Sequence, residues 1–66
     1  MTEHEYTEML EYAFKDEGEG IEFYNNFLNA LPLERRFNKI RSKVLSIMED
    51  EERHLAILAQ LIDDLR

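Results

Sequence analysis

Cysteine is absent from the 66 residues. That removes disulfides, cysteine-ligated iron–sulfur clusters and thiolate zinc sites together. Bases are scarce: eight Lys and Arg stand against fifteen Asp and Glu, for a net charge of −7. A nucleic-acid partner needs a basic face, so it is not expected. No apolar run approaches the ~20 residues of a membrane span, and no signal-peptide pattern opens the chain. The expectation is a soluble cytoplasmic protein with no membrane partner. There is one proline, Pro32, and there are two glycines, Gly18 and Gly20. No Val/Ile/Thr stretch alternates at period two, which leaves no strand to place. A chain this short buries little apolar surface, so a metal or self-association is expected to supply what its core lacks.

What remains is helix-tolerant almost throughout. The reading is a single domain over residues 1–66: a helix over about 3–30, a turn over about 31–34 around Pro32, and a helix over about 34–65. Apolar positions recur in a strict four–three alternation, from Tyr6 through Leu10, Ala13, Gly20, Tyr24 and Phe27 to Leu31 in the first helix. The second repeats it from Leu33 through Phe37, Ile40, Val44, Ile47, Leu58 and Leu61 to Leu65. Met48, Leu55 and Ile62 widen this second stripe. The fold class is therefore all-α, an antiparallel helical hairpin. Two helices cannot cover stripes this wide, and a second copy is expected to complete a four-helix bundle.

Three ionisable residues occupy these stripes: Glu17, Glu51 and His54. A buried lone carboxylate is costly unless it is paired or bound to a metal. Glu51 and His54 are three apart and leave the same helix face. Position 34, inside the turn, is midway between Glu17 and Glu51, so an antiparallel hairpin brings Glu17 level with the Glu-x-x-His pair. A Glu51–His54 ion pair is the plain alternative. A twofold copy would give four Glu and two His around one point, the inventory of carboxylate di-iron bundles. Hard oxygen donors with one imidazole per metal suit iron or manganese, and zinc competes by affinity. Gly20, one turn from Glu17, is read as room for such a site or for a partner helix. Gly18 has no such explanation. Asp16, Glu19 and Glu22 point elsewhere and read first as solvated face. His4, Glu8 and Glu11 share a face that offers a weaker surface cation site.

At these residues the chain resembles the ferritin-like superfamily in its rubrerythrin branch. "EGEGIEFY" (Glu17–Tyr24) followed by "DEERHLAIL" (Asp50–Leu58) is similar to that family's first two helices. The resemblance covers nearly the whole chain but half of the usual four-helix domain, and it is closest to the half-length encapsulated ferritins. It implies that two-helix subunits pair around a di-iron ferroxidase centre, build rings and work inside a cytoplasmic protein nanocompartment. It makes Glu17, Glu51 and His54 the iron ligands, two irons per dimer, and Tyr24 a catalytic neighbour. By the same likeness Asp16 and Glu19 match acids of an outer site where iron first binds. The segment from Tyr24 to Glu51 is longer than in encapsulated ferritins and nearer to rubrerythrin spacing. The chain ends in "DDLR" with no pattern of a cargo tail.

The activity expected is oxidation of Fe(II) to Fe(III) with O₂, for iron storage or detoxification. Two alternatives stand beside it. One is a rubrerythrin-like peroxidase fed electrons by a separate donor, since this chain has no cysteine to hold a rubredoxin-type iron. The other is a non-enzymatic dimerisation module whose stripe charges form ion pairs.

Overall fold

Thr2 starts the first helix. In the computed structural model, which describes all 66 residues, its hydroxyl oxygen accepts from the Glu5 backbone N–H at 3.2 Å. The Thr2 backbone N–H donates back to Glu5 Oε1 at 3.2 Å, closing a capping box. Glu3 and Glu5 add negative charge where the helix dipole favours it. Helix α1 then runs Glu3–Ala30, straight through both glycines, neither of which has positive φ.

Pro32 ends α1. Steric clash with the proline ring drives the preceding residue out of the helical region, and Leu31 is extended, at φ −72° and ψ 125°. The Leu31 N–H still reaches back to Phe27 O at 3.0 Å. The last turn of α1 holds no basic residue to satisfy its free carbonyls. Arg41 reaches from the other helix to the turn that follows instead: its Nη2 donates to Pro32 O at 3.0 Å and Leu31 O at 3.4 Å. Arg41 reads in the sequence as one more solvated base, yet here it is half-buried and ties the turn shut.

The second helix does not begin as an α-helix at 34. Arg35–Phe37 form a 3₁₀ turn, and α2 runs Asn38–Leu65. No side chain caps either start. The Glu34 N–H is held by Pro32 O at 2.8 Å and the Phe37 N–H by Glu34 O at 3.0 Å. These short-range bonds keep the first turn tight.

The two helices pack along their length into a rod of 51 × 15 × 14 Å. The phase of α2 differs from the sequence expectation. The residues turned toward α1 are Phe37, Arg41, Val44, Met48, Glu51, Leu55, Leu58, Ile62 and Leu65, again alternating four and three. The supposed wideners Met48, Leu55 and Ile62 thus form the seam. Ile40, Ile47, His54 and Leu61, each seven apart, make a more exposed row beside it. On α1, Tyr6 and Phe27 of the expected stripe are likewise exposed. Ile62 is the one buried residue, at 8 % exposure.

Candidate metal centre

Glu17 is the fifteenth of the 28 residues of α1, and Glu51 is the fourteenth of the 28 of α2. The antiparallel turn therefore sets both at mid-rod, with His54 one turn further along α2. One ligand atom from each of Glu17, Glu51 and His54 lies within 4.8 Å of the other two. His54 Nδ1 is 3.3 Å from Glu17 Oε1. The ion pair available to His54 is therefore with Glu17 across the hairpin, rather than with Glu51 on its own helix.

The two ends of this contact differ in exposure. The Glu17 side chain is 25 % exposed and that of His54 is 55 % exposed. Glu17 Oε2 is buried and has no hydrogen-bond partner. An unsatisfied carboxylate oxygen in such a place costs free energy on the order of 1–3 kcal/mol. A cation would satisfy it, and the donor set of two carboxylates and one imidazole suits iron, manganese or zinc.

Space is left on the same side. Ala13, Glu17, His54, Ile57 and Leu58 line a shallow groove of about 240 Å³. A Cβ at Gly20 would lie 3.8 Å from Glu51 Oε2 and 3.9 Å from Glu51 Cδ. Those are ordinary van der Waals distances, so within one hairpin a Cβ fits beside Glu51. Gly20 leaves open the approach to the Glu51 carboxylate. A Cβ at Gly18 would meet nothing within 4 Å, and nothing in the structure explains that glycine. Ile57 was not foreseen as part of the site, because it falls outside both stripes.

The remaining candidates lie elsewhere. Tyr24 is half-buried two turns from Glu17, packs edge-on against Phe23 at 5.4 Å between ring centres, and makes no hydrogen bond to the cluster. Asp16 and Glu19 are exposed beside Tyr12 and Lys15, with Lys15 Nζ 4.0 Å from Glu19 Oε1. Glu22 is exposed. The surface trio near the N-terminus is divided: His4 Nε2 meets Glu8 Oε1 at 2.9 Å, while Glu11 pairs with Arg66 at 3.0 Å.

No curated protein and no solved structure is significantly similar to the chain. A family model does match it, over residues 8–66, and the matched stretch contains Glu17, Glu51 and His54. That family is rubrerythrin, and by this match the chain belongs to the rubrerythrin family of the ferritin-like superfamily.

Proposed function

We propose that two copies of this hairpin dock through the flank that carries His54 and complete a dinuclear iron centre, at which Fe(II) is oxidised by O₂. The rubrerythrin family typically binds iron and is generally oxidoreductase. The observation that carries the reading is the half-built cluster: three converging donors, one carboxylate oxygen buried without a partner, and an imidazole facing outward. One hairpin offers too few donors for two metals. A twofold copy makes four carboxylates and two imidazoles, two irons per dimer. The same flank presents Ile40, Ile47 and Leu61 beside His54, each 38–43 % exposed. A chain with one buried side chain gains its core by covering that row.

Iron is substrate in this scheme. Two Fe(II) give up one electron each, and O₂ takes both with two protons to leave as hydrogen peroxide. Glu17 and Glu51 hold the metals with hard oxygen donors, which favour the Fe(III) product. His54 supplies the nitrogen donor, and the Gly20 opening leaves Glu51 approachable. Fe(III) then passes to storage, in this proposal within a larger ring or a protein shell of the cytoplasm.

The test is anaerobic Fe(II) titration of metal-free protein followed by admission of O₂. Two irons per dimer, a rise in dimer on sedimentation and rapid Fe(III) absorbance are expected. Binding only the assembled state stabilises it by mass action, so the melting temperature should rise as well. Sedimentation and melting indifferent to iron would rule out a shared centre. The 3.3 Å contact of Glu17 with His54 favours one other reading, a dimerisation module with a structural ion pair. Protein purified free of metal and unable to bind it would support that module.

A further inference from the structure

Two small residues flank Glu17 on the α1 stripe, Ala13 one turn before it and Gly20 one turn after. They leave openings of opposite character. At Gly20 the neighbour is the Glu51 carboxylate, 3.8 Å from where a Cβ would stand. At Ala13 the neighbours are Ile57 and Leu58, which wall the groove of about 240 Å³ that ends on Glu17 and His54. No other polar side chain lines that groove. Each of the three other grooves on the rod carries at least three charged side chains, none of them a member of the cluster.

We propose that the groove of Ala13, Ile57 and Leu58 is the binding site of the oxidant and admits O₂ in preference to hydrogen peroxide. The inference rests on the shared-centre reading above and deepens it, by naming the oxidant and the side chains it passes. Either oxidant takes two electrons from two Fe(II), together with two protons. O₂ leaves as hydrogen peroxide, and hydrogen peroxide leaves as two waters. Both reactions balance at one centre, so access is what separates them. O₂ is apolar and gives up no hydrogen bonds on leaving water for an apolar wall. Hydrogen peroxide carries two hydroxyls, and a hydroxyl taken out of water without a new partner costs free energy. With Glu17 and His54 given to the metal, no remaining side chain of the lining can bond them. Ile57 and the His54 side chain are each more than half exposed in the single hairpin, so docking through this flank roofs the groove. Roofed apolar space stays dry, as an engineered cavity of ~150 Å³ does while taking up xenon. The Gly20 opening, walled by a carboxylate, is left to the cation.

Two measurements test the groove. The first is stopped-flow oxidation of Fe(II)-loaded protein, parent against Ala13→Leu, with O₂ or hydrogen peroxide as oxidant. Leucine fills the groove from a helix position that accepts it. The apparent KM for O₂ should rise severalfold, while the rate at saturating O₂ and the rate with peroxide stay close to the parent's. Equal slowing with both oxidants, or no change with either, would overturn the proposal. The second uses the parent protein and needs no turnover. In the Zn(II)-loaded dimer, zinc being diamagnetic, xenon pressure should shift the NMR signals of the Ile57 and Leu58 methyls most. The methyls of Leu33 and Ile40, which lie outside the groove, are the control. Shifts no larger at Ile57 and Leu58 than at the control would overturn the groove as well. Parent protein that binds two irons per dimer and fails these tests leaves the shared centre standing. Parent protein that binds neither Fe(II) nor Zn(II) overturns the centre and the groove with it.

Discussion

Single residues separate the ligands from their neighbours. Glu17→Ala, Glu51→Ala and His54→Ala should each abolish rapid Fe(III) formation while circular dichroism stays near that of the parent. Glu22 is an exposed acid five residues beyond Glu17, and Glu22→Ala should oxidise iron at close to the parental rate. Equal damage from Glu22→Ala and Glu17→Ala would mean that acidity in general, and not this cluster, handles iron. The glycines give a second contrast. Alanine in a helix interior is worth about 1 kcal/mol over glycine, and the structure has room for a Cβ at both positions. Gly18→Ala and Gly20→Ala should therefore both raise the denaturation midpoint. Only Gly20→Ala, whose methyl would sit 3.8 Å from Glu51 Oε2, should slow iron oxidation. Equal oxidation rates for the two variants would remove any functional account of Gly20.

At the level of the element, the turn depends on a residue whose role pattern reading could not find. Arg41 donates to the Leu31 and Pro32 carbonyls of the turn after α1, so Arg41→Ala should cost about 1.5–3 kcal/mol by chemical denaturation, the range of hydrogen bonds to a charged donor. Arg36→Ala, whose partner Glu34 is only two residues away and on the surface, should cost much less. A reversed ranking would contradict the capping role. The contrast marks where sequence reading stops. A helical hairpin was legible because one proline interrupts two four–three alternations and nothing alternates at period two. The convergence of Glu17, Glu51 and His54 was legible too, because it follows from counting outward from the turn. The phase of α2 was not. Two alternations, one through Ile40, Ile47 and Leu61 and one through Met48, Leu55 and Ile62, fit its apolar residues equally well. Only packing against α1 showed which row faces inward. Arg41 sits on that inward row, and a base in a seam gives no sign of pairing with carbonyls nine and ten residues back. Nor could the sequence show that Glu11 pairs with Arg66, 55 residues away, and so leaves the His4 surface cluster divided.

For the whole molecule, the question is what Glu17, Glu51 and His54 do in the absence of metal. If they serve iron, they burden the empty dimer, since four carboxylates would face two imidazoles. Replacing a buried ionic group by well-packed apolar residues is often neutral or stabilising by about 1–4 kcal/mol. The triple variant Glu17→Leu/Glu51→Leu/His54→Leu should accordingly form a more stable metal-free bundle, lose all iron oxidation and lose any response of its melting temperature to Fe(II). The dimerisation module predicts the opposite for stability: without the Glu17–His54 contact of 3.3 Å to set register, the leucine variant would pair wrongly or weakly. Denaturation of both metal-free proteins at matched subunit concentration separates the two, because dimer stability depends on concentration. A leucine variant clearly less stable than its parent would show that these charges hold the bundle together, and the metal-centre reading would then fail. A more stable variant that no longer binds iron would mean that the protein keeps three polar residues in its seam, at a cost in stability, for the metal they bind.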